Sequence, residues 1–234
     1  MIIDSLNPTS FRYERKFLVS QLNRHEVESI IRLHPASFSE IFHPRYVNNI
    51  YFDTVDMSAY QDNSIGISDR MKVRIRWYDE IFGIIKEPVL ELKTKRGLLG
   101  SKKRFPLSSF YLDSSYSLKS QKGIFSESDI PEILRDYLKS LKLALLNRYH
   151  RKYFQSTDKR FRITIDFNME FYRLDPANNS FLEKVADRTN TILELKYSDE
   201  DDEEARFITN SFPFRMTKSS KYVTGIEDLY ADML

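Results

Sequence analysis

Arginine, lysine and glutamate recur at alternate positions along this chain, and in an extended strand residues two apart share a face. Lys72, Arg74 and Arg76 alternate with Met71, Val73, Ile75 and Trp77, while Glu91, Lys93 and Lys95 alternate with Leu90 and Leu92. Glu194 and Lys196 stand against Leu193, Leu195 and Tyr197, and Arg160, Arg162, Thr164, Asp166, Asn168 and Glu170 against Phe161, Ile163, Ile165, Phe167 and Met169. Near the start, Arg12, Glu14 and Lys16 oppose Phe11, Tyr13, Phe17 and Val19, with Arg15 the exception on the apolar side. Guanidinium forks and ammonium groups at this density are natural ligands of phosphoryl oxygens. The carboxylates Glu91, Glu194, Asp166 and Glu14 among them offer hard oxygen ligands for Mn²⁺ or Mg²⁺.

The elements that must position these groups are mostly strands. Adding 46–53, 101–106 and 148–154 to the alternating segments gives eight candidate strands. An antiparallel sheet with one charged face in water is the ordinary explanation of any single one. Taken together, however, the charged faces use Arg, Lys and Glu almost to the exclusion of Thr, Ser and Gln, and the opposite faces are apolar enough to pack under helices. A closed eight-stranded antiparallel β-barrel with an ionic lumen and helices packed outside, an α+β fold, meets both requirements. Cations outnumber carboxylates on those faces, so the lumen needs an anion, and a linear chain of phosphates suits a narrow bore.

Helices are expected at the connections. Asn23 with Glu26 forms a capping-box pattern ahead of Val27, Ile30 and Ile31. Ser128 and Pro131 open a second helix whose apolar stripe is expected to run through Leu134, Leu138, Leu141 and Leu145. A third begins in or after 199–204, and 222–229 is a short last helix. The polar stretch 113–127 reads as a loop within one domain spanning 1–234.

Composition narrows the function. The 234 residues carry 36 Lys plus Arg against 34 Asp plus Glu, a net charge of +2, which gives no whole-molecule field for nucleic acid. There is no cysteine, which excludes disulfides, iron–sulfur clusters and cysteine nucleophiles. No signal peptide and no apolar run of membrane-spanning length is present, so a soluble, cytoplasmic protein is expected. The segment 97–103 lacks Walker spacing, the four histidines lack metal-pair spacing, and the 178–180 sequon carries no weight without secretion.

With its motifs in order, the sequence resembles the VTC domain, the polyphosphate polymerase branch of the triphosphate tunnel metalloenzymes. The pieces are Arg12-Tyr-Glu-Arg-Lys16, Ile50-Tyr-Phe-Asp-Thr54, Val73-Arg-Ile-Arg-Trp-Tyr78, Leu90-Glu-Leu-Lys93, Lys102-Lys-Arg-Phe105, Tyr149-His-Arg151, Arg160-Phe-Arg-Ile-Thr-Ile-Asp166, Leu193-Glu-Leu-Lys196 and Lys218-Ser-Ser-Lys-Tyr222. The resemblance implies an ATP-dependent polymerase that moves the terminal phosphoryl group of ATP onto a phosphate chain. It also implies that Lys16, Arg74, Arg76, Lys93, Lys102, Arg151, Arg162, Lys218 and Lys221 hold phosphates. Glu194 would hold the divalent metal with Lys196 beside it, Lys16, Arg74, Arg76 and Glu194 forming the catalytic set. Arg104 joins the phosphate ligands by parity with Lys102, and Glu91 and Asp166 are further metal candidates. Arg12 stands where related triphosphatases and class IV adenylate cyclases carry the first Glu of Glu-x-Glu-x-Lys, which favours the polymerase branch. A tripolyphosphatase or nucleoside triphosphatase, and a non-catalytic polyphosphate or nucleotide sensor, are the alternatives. The SPX and transmembrane domains of eukaryotic members are not seen, so a stand-alone bacterial-type member is expected. ATP and polyphosphate are the expected partners, nucleic acid is not, and a membrane partner and the oligomeric state stay open.

Overall fold

In the computed structural model, residues 12–177 and 179–231 are described; Phe11, the N-terminal 1–4 segment and Asn178 of the sequon lie outside them. Eight strands close into a barrel: β1 (Arg12–Val19), β2 (Ser39–Asp53), β3 (Arg70–Tyr78), β5 (Val89–Arg96), β6 (Leu99–Pro106), β8 (Lys142–Gln155), β9 (Arg162–Arg173) and β11 (Thr191–Tyr197). The order is β9-β11-β1-β6-β5-β3-β2-β8, and β8 pairs back to β9, every pairing antiparallel. β10 (Lys184–Asp187) adds to β9, and β4 (Gly83–Ile85) pairs with β7 (Phe110–Leu112) outside the barrel.

The apolar faces point outward and are covered by helices. Phe17, Ile163, Ile165, Leu193 and Leu195 pack under Val27 and Ile31 of α1 (Arg24–Arg32) and under Ala205 and Ile208 of α5 (Asp202–Asn210). The expected capping box at Asn23 and Glu26 is present. Ile50, Phe52, Val73, Ile75, Leu90 and Leu92 pack under α3 (Leu118–Glu127) and α4 (Glu132–Lys139). Arg15, the exception on that face, reaches α5: its guanidinium donates to Tyr197 Oη at 2.7 Å, Thr209 Oγ1 at 2.8 Å and Asp202 Oδ1 at 2.9 Å. α2 (Ser58–Ile65) and α6 (Lys221–Tyr230) lie at one end of the barrel.

Three expectations are corrected. The stretch 113–127 is not all loop, because Ser117 caps α3, which buries Gln121, Ile124 and Phe125. The second helix stops at Lys139, and Leu145 belongs to β8, where Leu143, Leu145 and Leu146 pack as strand residues. The alternation 160–170 breaks twice. Lys159 turns the chain at φ 64°, and Arg160 bonds Asp201 outside the barrel. At Asn168, φ 50°, a bulge opposite the shift between Arg148 and His150 inverts the phase. Beyond it Met169 and Phe171 turn inward, and Asn168 and Glu170 do not continue the lumen face.

That inversion fills one end of the barrel with apolar side chains. Inward-facing Val47, Tyr51, Leu145, Met169, Phe171 and Ile192 pack with Tyr222 and Ile226 of α6. Gly225 is the point of closest approach. A Cβ there would lie 2.5 Å from Phe171 Cδ1 and 2.6 Å from Leu145 Cδ2, so the helix can seat only with glycine at this position.

Candidate active site

The other half of the lumen is ionic, and its carboxylates form three groups. Glu91, 1% exposed, accepts from Arg74 Nη2 at 2.6 Å and Arg104 Nε at 3.0 Å, with Arg76 Nη1 at 3.5 Å. Burial alone would raise the Glu91 carboxyl, but Arg76 and Arg74 hold it far below its usual range. Arg76 continues inward, donating to Asn49 Oδ1 at 2.9 Å and Tyr149 Oη at 3.1 Å, and Asn49 donates to Asn147 Oδ1 at 2.8 Å.

The second group is Asp166 with Glu194. Arg151 grips Asp166 bidentately at 2.5 and 2.6 Å, and Lys221 Nζ reaches the same carboxylate at 2.5 Å. Glu194 receives Lys196 Nζ at 2.9 Å and Lys16 Nζ at 3.2 Å, with Arg151 at 3.6 Å and Lys221 at 3.8 Å. Burial pushes the Glu194 carboxyl up, yet Lys16, Lys196, Lys221 and Arg151 overrule it and keep it ionised. The third group is Glu14 with Lys93 at 2.8 Å.

Between these groups the register sets three lysines side by side: Lys72 faces Lys93, and Lys93 faces Lys102. Lys72 donates to Ser220 Oγ at 2.7 Å and has no carboxylate within ion-pair distance among the described residues. Desolvation, then Lys16, Lys93, Arg70 and Arg74, drive its ammonium well below the usual lysine pKa. Lys102 is wetted by solvent at the lumen edge yet surrounded by protein. Its pKa is pushed down to about 7 by desolvation and by Arg104, Arg76 and Lys196, against the pull of Glu91. Among the described residues only Lys93 of this row has a carboxylate, Glu14, at ion-pair distance. Asn147 Nδ2 and Thr164 Oγ1, buried without hydrogen-bond partners, are further polar atoms left unmatched.

Thus Lys16, Arg74, Arg76, Glu91, Lys93, Lys102, Arg104, Arg151, Asp166, Glu194, Lys196 and Lys221 share one lumen. Arg162 is on the lumen face but exposed at its mouth, opposite Lys196. Lys218 is exposed on the rim, its ammonium beside Gly66. The sequence places Lys72 on a charged face and Tyr149 and Ser220 within motifs, but none of them, nor Asn147, was expected as a site residue. Parity with Arg74 and Arg151 was the available signal for Lys72, Tyr149 and Asn147. Ser220 has none, since it lies before α6 on irregular chain.

Among the described residues, no three His, Cys, Asp or Glu side chains assemble into a metal site. Glu91 shares no ion-pair partner with Glu194 or Asp166, so the three candidate metal carboxylates do not form one centre. The donor set does not fit an all-protein cage. It does fit a hard cation that takes most of its oxygens from phosphates and one or two from carboxylates.

A family model, the VTC domain, matches residues 11–230. No curated protein matches the sequence. A candidate adenylate cyclase of Bacillus halodurans has a similar solved structure, at TM-score 0.53 and 17% identity, covering 92% of this chain and 96% of that one. The PH1819 protein of Pyrococcus horikoshii OT3 aligns at TM-score 0.51 and 11% identity, over 93% and 99%. A candidate adenylyl cyclase from Hippeastrum, described as having a dominant triphosphatase activity, aligns at TM-score 0.52 and 12% identity, over 94% and 96%. At these identities the likeness is one of fold.

Proposed function

This chain belongs to the VTC domain family, and on that premise we propose that it is an ATP-dependent polyphosphate polymerase working in the barrel lumen. The observation that carries the reading is the lysine row Lys72–Lys93–Lys102, which lies beside the Glu91 arginines and in which, among the described residues, only Lys93 has a carboxylate, Glu14, at ion-pair distance.

Phosphoryl transfer needs little covalent chemistry from the protein, because its barrier is lowered mainly by in-line positioning and by neutralising charge on the transferred group. The triphosphate of ATP would lie along Lys72, Lys93 and Lys102, with Arg74 and Arg76 released from Glu91 toward phosphate oxygens. A terminal oxygen of the acceptor chain attacks the γ-phosphorus, the bond from that phosphorus to the β–γ bridging oxygen breaks, and ADP leaves. The new P–O–P link lengthens the chain by one phosphate. Lys16, Lys196, Arg151 and Lys221 hold the neighbouring phosphates, Arg162 and Arg104 attract them at one rim, and Lys218 at the rim beside α2 and α6. Glu194, with Asp166 behind it, would hold Mn²⁺ or Mg²⁺, which when bound withdraws charge from phosphate oxygens.

A second reading is hydrolysis of a triphosphate by water. One observation favours it: the Hippeastrum protein of the same fold has triphosphatase activity. Purified protein given ATP and Mn²⁺ separates the two. The polymerase reading expects ADP together with phosphate oligomers on a gel. Orthophosphate without oligomers replaces it with the second reading, and no turnover with intact triphosphate binding leaves a sensor.

A further inference from the structure

An apolar side chain standing singly at the surface of a protein means little. On this chain four gather on the rim beside α2: Ile65 and Ile67, 74% and 42% exposed, Leu98, 73%, and Met216, 58%. Local conformation puts them there. Gly66 ends α2 at φ 83°, so Ile65 and Ile67 flank a left-handed turn. Gly97, at φ 59°, and Leu98 form the two-residue tip between β5 and β6, where Arg96 pairs with Leu99. Met216 bridges to Phe17 of β1, and the next residue, Thr217, donates its N–H to the Lys16 carbonyl at 2.8 Å.

Cations join these tips into one surface. Arg70 donates to the Ile67 carbonyl and lies opposite Lys95 on β5. Lys218 Nζ stands 3.9 Å from the position a Cβ of Gly66 would take. Desolvation, then Arg70 and Lys16, lower the pKa of the Lys95 ammonium; Glu14 opposes them and Lys218 adds to them. Across 62–70, 95–98 and 216–218 the cations are Arg70, Lys95, Arg96 and Lys218, and the carboxylates are Asp62 and Asp69. The tips are therefore net positive as well as apolar.

That combination suits a bilayer interface. Aliphatic groups on separate tips enter the acyl boundary independently, while long cationic stems keep their charge among the headgroup phosphates. A protein partner would have to match each tip with its own pit.

We propose that this rim docks on an anionic phospholipid surface, with Ile65, Ile67, Leu98 and Met216 inserted and Arg70, Lys95 and Lys218 on the headgroups. The positive balance selects anionic over zwitterionic lipid. The docking goes beyond the reaction in the lumen and holds for transfer and hydrolysis alike.

Co-sedimentation with vesicles tests it, one set of phosphatidylcholine alone and one with phosphatidylglycerol added. The full chain is expected to sediment with the anionic set, less so as salt rises, and to stay free of the neutral set. Ile65→Ser with Leu98→Ser changes no charge and opens no core, so its melt should match wild type while vesicle affinity falls about tenfold. In single-tryptophan reporters on a Trp77→Phe background, Leu98→Trp should shift its emission to the blue on anionic vesicles. Leu33→Trp, at the end of α1, should not. Absence of binding to the anionic set overturns the proposal, as does equal binding by the double variant, which would leave charge attraction without insertion. A blue shift at Leu33→Trp instead of Leu98→Trp moves the docking face and overturns it too. Self-association that the double variant abolishes, with no vesicle binding, gives the rim to a second copy of the chain and refutes the lipid assignment.

Discussion

Lys72 and Lys93 are direct cross-strand partners on β3 and β5, and only Lys93 has a carboxylate, Glu14, at ion-pair distance. Like charges directly opposite on a sheet face destabilise it. The free protein therefore holds an arrangement that an anion would relieve.

Replacing Lys72 with Met should make that visible. Thermal denaturation is expected to show the free variant as stable as wild type or more so, because an uncompensated buried cation is gone. The affinity for tripolyphosphate should fall about tenfold, or about 1.4 kcal/mol. Loss of stability with unchanged ligand binding would give Lys72 a structural role only.

Arg74 and Lys221 should behave differently from one another. Arg74→Ala leaves Glu91 with Arg76 and Arg104, so the fold is expected to persist while turnover is lost. Lys221→Met leaves Asp166 to Arg151 alone and frees the start of α6. Breaking such a buried pair costs about 3–5 kcal/mol, so this variant should lose both stability and activity. Circular dichroism melts beside an ADP-release assay separate the two cases.

The strands were legible because their outward faces are mostly apolar, Arg15 and Thr94 being exceptions, and period-two alternation placed Arg74, Glu91, Glu194 and Lys196 on a common face. The apolar packing under α6 was not legible. One αL residue, Asn168, inverts the phase of β9, and alternation cannot register a single-residue bulge. Helix α3 escaped notice because only Gln121, Ile124 and Phe125 of its ten residues are buried, leaving a composition that reads as loop. Ser220 acquires its role only when the chain folds back to bring it against Lys72.

Glu194→Gln should separate metal from phosphate. Removing the carboxylate charge frees Lys16 and Lys196, so metal-free tripolyphosphate is expected to bind more tightly, while the Mn²⁺ dependence of turnover weakens. An unchanged Mn²⁺ titration would contradict the role assigned to Glu194.

The pH dependence follows from Lys102, whose folded pKa of about 7 lies below the unfolded value of about 10.4. Between those values the unfolded chain binds more protons, so this group makes the free protein more stable as pH rises. Phosphate favours the charged amine, so tripolyphosphate affinity should fall as pH rises through 7, with proton uptake on binding. Calorimetry in buffers of different ionisation enthalpy measures that uptake; none at pH 8 would refute the assignment.

Gly225→Ala should loosen the packing under α6. The added methyl meets Phe171 and Leu145 at 2.5 and 2.6 Å, an overpacking worth about 1–3 kcal/mol. Hydrogen exchange is expected to rise in α6 before it rises in the barrel strands.

The most direct test of the central claim is a co-crystal structure with a non-hydrolysable ATP analogue and Mn²⁺. The triphosphate is expected inside the lumen, its oxygens on Lys72, Lys93, Lys102 and Arg74, with the nucleoside near Arg162 and α6 unmoved. A nucleotide bound on the barrel exterior, with the lumen ion pairs intact, would contradict it.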